Sequence, residues 1–488
     1  MTETNQTSSP EPPHPEPRPA PRAGSWRDLF SRAHAPAVTV LASGVGLYAM
    51  NLYFTAALLP TVVADIGGAE YFAWAATAYL ITAVVATMLV SRLLAGAGPA
   101  RAYALAFALF ALGTGVSALS AGMEQFVLGR AIQGSGAGLL TGLGYAVIRG
   151  ALPPALWTRA TGLISAMFGV GTLVGPVLGG AFAEFAAWRA ALGTLAVLAL
   201  ALLPVAVRAL PASLLGADPS GEPHRPAPVP LVPIATLAAA AAALSLSSRL
   251  GGPLVAVAIG GGLFLLVAFL LLDSRHANGV LPRLAYARGG SLKWVYLTVA
   301  ALCAGVMVEN FVPLFAQQIG GLTPLGAGLL GGALSLGWVA SQLFSVGAGS
   351  ARVPTLIRVA PWLLTGGLCT YGLLQIAEPG IPIVLAWALA LFIAGAGIGL
   401  AFPHLSVAAM MSSSDEREGA KAAAAVSTTQ LIAFTLTSAL AGNLIALGDG
   451  PLSSARWLAF GLTALTALGI ATALAATRAS RRAQAERP

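Results

Sequence analysis

The stretch Gly162–Gly180, GLISAMFGVGTLVGPVLGG, indicates the fold more strongly than any other part of the sequence. Within it, Gly171, Gly175 and Gly179 recur every four residues, so they would form one bare ridge along a helix. A bare ridge lets two helices approach closely inside a membrane. Pro176 removes a backbone donor and predicts a bend beside this ridge. We interpret the stretch as a pliable, closely packed membrane helix, with packing alone as the alternative, because glycine is common in membrane helices.

The composition of the whole chain supports a membrane protein. The chain has 488 residues, of which 57% are hydrophobic and 9% charged, and a mean hydropathy of +0.80. A soluble domain carries about 25% charged residues. The net charge of +8 does not indicate nucleic-acid binding, because the basic residues are scattered between apolar runs.

The sequence also argues against enzymatic and metal chemistry. The two cysteines, Cys303 and Cys369, lie in apolar runs and are interpreted as core residues. The chain has no GxxxxGK[ST] motif, no cluster typical of a metal site and no nucleophile–base pair. We therefore expect no cofactor, no metal and no catalytic residue.

Fourteen apolar runs are long enough to cross a bilayer, which takes roughly 20 residues each. They are numbered here as predicted helices 1 to 14 and lie at residues 37–62, 71–95, 102–121, 126–148, 160–183, 189–207, 231–249, 253–272, 293–318, 325–348, 354–376, 381–410, 422–446 and 455–477. Residues 1–35, rich in Pro, Glu, Ser and Arg, are predicted to be a disordered cytoplasmic tail.

Basic residues predict the orientation. With a cytoplasmic N-terminus, all but four of the 26 Lys and Arg residues fall in or beside cytoplasmic segments. The four exceptions are Arg189, Arg249 and Arg456 on the outside and Arg130 within a helix. Both termini are therefore predicted to be cytoplasmic, in a multi-pass protein of the plasma membrane.

Two parts of the sequence repeat each other. Predicted helix 1 ends LPTVVADIGG and predicted helix 9 ends VPLFAQQIGG; predicted helix 4 contains GSGAGL and predicted helix 12 contains GAGIGL. We predict an all-α fold of two six-helix bundles, residues 36–210 and 274–477, with a cytoplasmic linker at 211–230, two extra helices at 231–273 and a tail at 478–488. Two related halves are typical of a central cavity opened alternately to each side.

Predicted helix 4 reads RAIQGSGAGLLTG from Arg130. Gly134, Gly138 and Gly142 form a second bare ridge. Arg130 cannot lose its charge and lies several residues inside the apolar run, so it should face a cavity or a partner. The alternative is an arginine that extends its head to the outer surface.

These motifs together resemble one family. RAIQGSGAG resembles the helix-4 motif of the major facilitator superfamily, and GVGTLVGPVLGG resembles the helix-5 motif of its drug:proton antiporters. WAATAYL at Trp74–Leu80 and FVPLFAQQIGGLTPLGAG are similar to the fourteen-helix branch of that group. The resemblance covers nearly all of residues 37–477 and implies a transporter that exchanges small amphipathic compounds for protons.

The sequence departs from that family at two places. The loop between predicted helices 2 and 3 reads SRLLAGAGPARA, so Ala95 stands where the family has an aspartate implied in closing the outward gate. Gly98 and one cation, Arg101, are kept. Asn51 stands where the family's helix 1 usually carries a carboxylate, and an amide cannot exchange protons.

Few ionisable residues remain within the membrane. Glu309, well inside predicted helix 9, is the main candidate for carrying the proton, with Arg130 as its possible cationic partner and His404 as a second candidate. A hydrogen-bonded packing role is the alternative for His404, and a permanently protonated carboxyl for Glu309.

Other residues are candidates for the substrate cavity or for helix packing. The cavity candidates share polar or aromatic character and are Asn51, Tyr53, Phe54, Gln133, Tyr145, Phe168, Asn310, Phe311, Phe315 and Gln430. The helix-packing candidates are Gly134, Gly138, Gly171, Gly175, Pro176, Gly179 and Gly180.

The sequence favours a proton-coupled exporter that works as a monomer in the lipid bilayer, with a small-molecule substrate and protons as its partners. A facilitator or uptake permease without proton coupling is the alternative, because the helix-1 carboxylate is missing. A non-transporting sensor or scaffold is a further alternative, supported by the proline-rich tail.

Overall fold

A computed structural model describes residues 25–153, 156–210, 230–247, 250, 253–276, 279–287, 290–346, 348, 351–412 and 416–485. Most of the predicted tail and of the linker at 211–230 lies outside these residues. The described part of the tail contains a short helix, Trp26–Leu29, which is capped by Ser25. The prediction of disorder up to residue 35 is therefore wrong over this segment, because the side chains of Ser25 and Asp28 cap the helix reciprocally.

Within the described residues the fold is all-α. The helices in chain order are α1 (Trp26–Leu29), α2 (Ala35–Ile66), α3 (Phe72–Ala118), α4 (Met123–Ala146), α5 (Ile148–Ala151), α6 (Trp157–Glu184), α7 (Trp188–Ala209), α8 (Leu231–Ser247), α9 (Pro253–Arg275), α10 (Leu292–Val306), α11 (Val312–Gln318), α12 (Pro324–Val346), α13 (Val353–Leu373), α14 (Ile381–Met410), α15 (Glu416–Ala446) and α16 (Pro451–Ala485). Among the described residues, 11 segments are long and apolar enough to cross a membrane. The fourteen-span count stays a prediction.

Predicted helices 2 and 3 are joined in the structure. Helix α3 runs through the predicted loop but changes direction at Gly98, whose φ of 74° and ψ of 169° are not helical. A positive φ favours glycine because it has no Cβ atom, and Pro99 follows at once. We call the end of the bundle that contains this turn the Gly98 end, and the opposite end, with the α2–α3 connection, the Gly67 end.

Predicted helix 9 is divided instead of continuous. Helix α10 ends at Val306, a 3-10 turn covers Met307–Asn310, and α11 begins at Val312. Pro313 has no backbone N–H, so it cannot donate the helical hydrogen bond to the carbonyl four residues earlier. The Phe311 N–H donates to the Val308 carbonyl at 2.9 Å, which is the tighter 3-10 pattern.

The glycine ridge of α6 packs against the backbone of α2. A Cβ atom at Gly171 would lie 2.7 Å from the Met50 nitrogen, and one at Gly175 would lie 2.6 Å from the Met50 carbonyl oxygen. Gly179 approaches the Phe54 carbonyl in the same way. Any side chain on the ridge would therefore push the two helices apart.

The two repeated glycine motifs make equivalent contacts. In α4, Gly134 and Gly138 abut carbonyls of α3, while Gly136 abuts its returning part at Phe110. In α14, Gly395 and Gly399 abut carbonyls of α12, while Gly397 abuts α13 at Ala360. The sequence repeat thus corresponds to a repeated packing arrangement.

Helices α8 and α9 pack against each other beside this bundle. Helix α8 contacts α3 and α15, and Asn443 of α15 donates to the Leu244 carbonyl at 2.7 Å. Helix α9 mostly faces outward; Phe264 is 71% exposed. Asp273 at its end accepts the Tyr286 hydroxyl at 2.8 Å, and burial together with this carboxylate raises the pKa of Tyr286.

Candidate functional site

Arg130 lies at the centre of a buried polar network. Its side chain is 1% exposed. Nε donates to the Ala75 carbonyl at 3.1 Å, and Nη1 donates to the Thr55 hydroxyl at 3.3 Å and to the Gln133 amide oxygen. The guanidinium also lies 4.1 Å from the centre of the Tyr79 ring, a distance typical of a cation–π contact. Arg130 therefore does not extend to the surface.

Asn51 and Gln133 continue this network. The Gln133 amide nitrogen donates to the Asn51 side-chain oxygen at 3.0 Å and to the Thr114 hydroxyl at 2.7 Å. Thr55 donates to the same Asn51 oxygen at 3.3 Å. The two amides, Asn51 on α2 and Gln133 on α4, thus hold the hydrogen-bond partners of Arg130 in place. Neither amide lines the void described next.

A small void adjoins Arg130 and has room for roughly one water molecule. Its walls are Leu52, Thr55 and Ala56 of α2, Phe72, Ala75 and Ala76 of α3, Arg130 of α4, and Asn310 and Phe311 between α10 and α11. The void therefore lies where the N-terminal bundle meets the interrupted helix. Of the predicted cavity residues, the structure brings Asn310 and Phe311 to it together with Arg130.

Glu309 lies on the 3-10 turn that divides the helix. Its side chain is 1% exposed, and Oε1 accepts the Ser335 hydroxyl at 2.7 Å. Among the described residues, Oε2 has no hydrogen-bond partner, and neither does the buried hydroxyl of nearby Tyr53. In the described part of the chain the only ion pair joins Arg189 to Asp65, so neither Glu309 nor Arg130 has an oppositely charged partner there.

A row of aromatic rings crosses from one bundle to the other. Tyr48 lies 6.1 Å from Tyr79 and 5.8 Å from Phe168, measured between ring centroids. Phe168 in turn lies 6.4 Å from Trp338 of α12. This apolar row connects the Arg130 network to the C-terminal helices.

His404 lies apart from Glu309. Its Nε2 is 2.9 Å from the Ser345 hydroxyl and 3.2 Å from the Ser345 carbonyl oxygen. These contacts fit the hydrogen-bonded packing role that the sequence left open.

The remaining cavity candidates occupy different places. Phe54 packs on Phe182 at 6.2 Å, within the α2–α6 contact. Phe315 and Gln430 are buried on α11 and α15, at 3% and 8% exposure. The Tyr145 side chain lies outside the described residues.

Sequence reasoning missed three residues of the site. Thr55, Thr114 and Ser335 hold the polar side chains in place, yet threonine and serine are common in membrane helices and only their contacts distinguish these three. Tyr79 lies in the quoted WAATAYL motif, but its position under the guanidinium was not predicted.

At the Gly67 end, helices α3 and α6 of the first half of the chain contact helices α15 and α12 of the second half. The Thr77 hydroxyl of α3 donates to the Ser438 hydroxyl of α15 at 3.1 Å. The Glu184 carboxylate, at the end of α6, accepts the Leu325 N–H of α12 at 2.9 Å. Gly180 abuts α12 as well, where a Cβ atom would lie 2.6 Å from the Pro324 carbonyl oxygen.

The described residues contain no group of three or more His, Cys, Asp or Glu residues that could hold a metal. What the site can do is bind a polar or charged group in a closed, apolar surrounding and release it when helices move. A bundle of membrane-spanning helices with repeated packing and a buried arginine beside a small void is typical of a secondary transporter.

The chain belongs to the Major Facilitator Superfamily, whose sequence profile matches residues 41–442. It is 40% identical over 474 residues to a probable multidrug-efflux transporter of Mycobacterium tuberculosis (strain ATCC 25618 / H37Rv), covering 95% of this chain and 98% of that one. It is 22% identical over 376 residues to the multidrug transporter protein MdtP of Bacillus subtilis (strain 168), covering 74% and 66%.

A solved structure confirms the fold. The crystal structure of a D-xylose-proton symporter aligns with a TM-score of 0.63 at 14% identity, covering 91% of this chain and 97% of that one. The family resemblance stated from the motifs is confirmed, and the protein is a multi-pass membrane transporter and not an enzyme.

Proposed function

We propose that this transporter exports small amphipathic compounds across the plasma membrane in exchange for protons, by alternating access. The observation that carries the proposal is the position of Glu309. Its carboxyl is buried on an interrupted helix, next in sequence to Asn310, which lines the void shared with Arg130. The names of the relatives as multidrug-efflux transporters support export.

Glu309 has the surroundings that a proton carrier needs. An ionised carboxylate in an apolar interior costs several kcal/mol unless a cation pairs with it. Glu309 receives one hydrogen bond, from Ser335, and the 3-10 turn that holds it breaks the regular helix. Movement of this turn can expose the carboxyl to water, where it ionises, and bury it again when it is protonated.

The proposed orientation in the membrane determines which side of the transporter is closed. With both termini cytoplasmic, the Gly67 end faces the outside, and its contacts through Thr77, Glu184 and Gly180 close the transporter on that side. We further propose that the protein acts as a monomer of two six-helix bundles with α8 and α9 as the extra pair.

A facilitator without proton coupling is the second candidate. Asn51 supports this candidate, because the amide stands where helix 1 of the family usually carries a carboxylate. Its side-chain oxygen accepts hydrogen bonds from Gln133 and Thr55. The two candidates differ in whether a proton gradient drives export.

Accumulation in cells tests the function. Cells with and without the protein are loaded with fluorescent amphipathic compounds that include a cation, an acid and an amphoteric compound. We expect the protein to lower the accumulation of at least one of them, and an uncoupler to restore it. A faster approach to the same final accumulation, which an uncoupler leaves unchanged, favours the facilitator, and unchanged accumulation of every compound at all times contradicts export.

The role of Glu309 has its own prediction. The change Glu309→Gln removes the proton site but keeps an oxygen that can accept the Ser335 hydrogen bond. In proteoliposomes we expect this variant to bind an exported compound that carries a cationic group normally, while uphill export of that compound under a pH gradient falls at least about tenfold, or about 1.4 kcal/mol. The matched control is Glu70→Gln, at an exposed position of the α2–α3 connection. Full uphill export by the Glu309 variant would show that Glu309 is structural.

A further inference from the structure

We propose that the void beside Arg130 is a subsite for the carboxylate of an amphipathic aromatic substrate. This inference rests on the proposed export function and names the chemical class of its substrate. The carrying observation is a fully buried arginine that faces a cavity without an acidic partner. In the described part of the chain, no Asp or Glu lies within ion-pair distance of Arg130.

The present partners of Arg130 are all neutral. They are one carbonyl, one hydroxyl, one amide oxygen and the face of a tyrosine ring. Neutral partners stabilise a buried cation incompletely, since its charge stays uncompensated in an apolar surrounding. The hydrogen bonds named above use Nε and both Nη1 hydrogens, so among the described contacts Nη2 is the nitrogen left to donate to a carboxylate, through a charge-assisted hydrogen bond. A carboxylate entering the void would therefore supply the charge that the protein does not.

The wall opposite Arg130 offers a second contact. Asn310 lies 4% exposed, and its Nδ2 donates only to the Met307 sulfur at 3.5 Å, a weak acceptor. Its Oδ1 has no hydrogen-bond partner in the part of the chain that the structure describes. The amide can thus turn to donate to a ligand oxygen without losing a strong bond of its own.

The remaining walls are apolar and aromatic. Phe72 and Phe311 both line the void, with ring centroids 5.7 Å apart. Leu52 and Ala56 close the side formed by α2. A flat hydrocarbon body attached to the carboxylate would lie between these rings once the helices separate, and aromatic contacts add to its burial. The substrate class is therefore an aromatic compound that carries a carboxylate.

The departure at Asn51 fits this assignment. A carboxylate at this position would lie one hydrogen bond away from the guanidinium, because Thr55 and Gln133 each contact both residues. It would compensate Arg130 and compete with a substrate acid. The amide leaves the cation available.

Binding of a matched pair of probes tests the subsite. The purified full-length transporter in lipid nanodiscs is titrated at pH 7 with 2-naphthoate and with 2-naphthamide, which has nearly the same shape without the charge. We expect naphthoate to bind at least about tenfold more tightly, which corresponds to about 1.4 kcal/mol. Equal binding of the two probes, tighter binding of the amide, or no binding of naphthoate at millimolar concentration overturns the proposal.

Three variants test whether Arg130 causes the preference for naphthoate over naphthamide. Arg130→Gln should remove it, Arg130→Lys should keep part of it because the charge stays, and Arg275→Gln, an exposed arginine at the end of α9, should leave it unchanged. An undiminished preference in a folded Arg130→Gln protein also overturns the proposal. The comparison of probes in the unmodified protein decides the matter even if a variant fails to fold. If the unmodified protein shows no preference for the carboxylate, the subsite is wrong but the proposed export function still stands. If no compound is exported in the accumulation experiment, the proposed function itself is wrong.

Discussion

The guanidinium of Arg130 shows how a single residue is held in an apolar bundle. Its hydrogen bonds come from α2, α3 and α4, so three helices must keep their relative positions for the charge to stay solvated by protein groups. Each partner is neutral, which keeps the arginine both fixed and uncompensated.

The change Asn51→Asp tests whether Arg130 is available to a substrate carboxylate. It places a carboxylate next to two of the direct partners of Arg130, Thr55 and Gln133. We expect the internal pair to compete with the ligand, so naphthoate affinity should fall about tenfold while naphthamide affinity stays the same. Titration in nanodiscs measures both. The control Asn51→Leu removes the amide without adding charge, and equal losses in the two variants would contradict the electrostatic reason.

At this scale the sequence predicted which residues are chemically unusual but not what they touch. Arg130, Glu309 and Asn310 stand out because charged and amide side chains are rare in apolar runs. Their spacing cannot show that Asn310 faces the Arg130 void while Glu309 faces Ser335, since this depends on how separate helices meet.

At the scale of an element, helix α6 combines two packing faces. Its glycine ridge lies against α2 within the N-terminal bundle, and Gly180 lies against α12 of the other bundle. The α2 contact is maintained along Met50 and Phe54, on the helix that also carries Asn51. Close packing by the glycine ridge therefore positions the Arg130 network.

A side chain on this ridge should stop transport. In the variant Gly175→Leu, even the first carbon would lie 2.6 Å from the Met50 carbonyl oxygen, so α6 and α2 must separate. We expect normal membrane insertion and a loss of transport of at least about tenfold, or about 1.4 kcal/mol. Accumulation of an exported compound measures it at matched expression.

Gly193→Leu is the matched control, because a Cβ atom there meets nothing within 4 Å on α7. Normal transport by Gly175→Leu, or an equal loss in both variants, would show that ridge contact is not the cause.

Sequence patterns predicted the glycine ridge but not the division of α10 from α11. Residues four positions apart lie on one face of any α-helix, so the spacing of Gly171, Gly175 and Gly179 was enough to predict the ridge. The break depends on Pro313, and proline inside a membrane helix is often accommodated without one: α6 runs through Pro176 and α14 through Pro403. Only the surrounding packing decides between these outcomes.

For the whole molecule, the contacts between the two bundles at the Gly67 end define a closed face. Thr77 meets Ser438 there, and Glu184 binds the first turn of α12. Alternating access requires these contacts to open and re-form. The sequence predicted the repeated halves from their motifs, whereas the pairing of α3 with α15 was not readable from it.

Cross-linking measures the opening of this face. The hydroxyls of Thr77 and Ser438 are 3.1 Å apart, so a cysteine pair at these positions is expected to form a disulfide and block transport, with reduction restoring it. Adding Gly180→Leu should lower the disulfide yield several-fold, because the larger side chain presses on the Pro324 carbonyl. Each single cysteine variant is the control. Full transport by the oxidised pair would contradict an obligatory opening at the Gly67 end.

The two buried charged groups together determine what a proton gradient can drive. Glu309 has no cation within ion-pair distance among the described residues. In its proposed role, the Glu309 carboxyl is protonated while the transporter passes through the closed state, because an unpaired buried carboxylate costs several kcal/mol. A substrate with an ammonium group is the exception, because it can pair with the ionised carboxylate. Proton exchange then needs a substrate with a cationic group, whereas a simple acid bound at Arg130 crosses as an anion. An interior-negative potential favours outward movement of that anion by about 2.3 kcal/mol per 100 mV.

Two probes in proteoliposomes separate these driving forces. We expect 3-(2-naphthyl)alanine, which carries both charges, to move against protons, and 2-naphthoate to move without them and to follow a potential set by potassium and valinomycin. Glu309→Gln should abolish the proton movement with the amino acid while leaving naphthoate flux within about twofold, since Glu309 does not line the Arg130 void. A pH-sensitive dye records the protons and labelled probe records the flux. Counter-movement of protons with naphthoate in the unmodified protein would contradict this division of roles, because it would require Glu309 to ionise with no cation beside it.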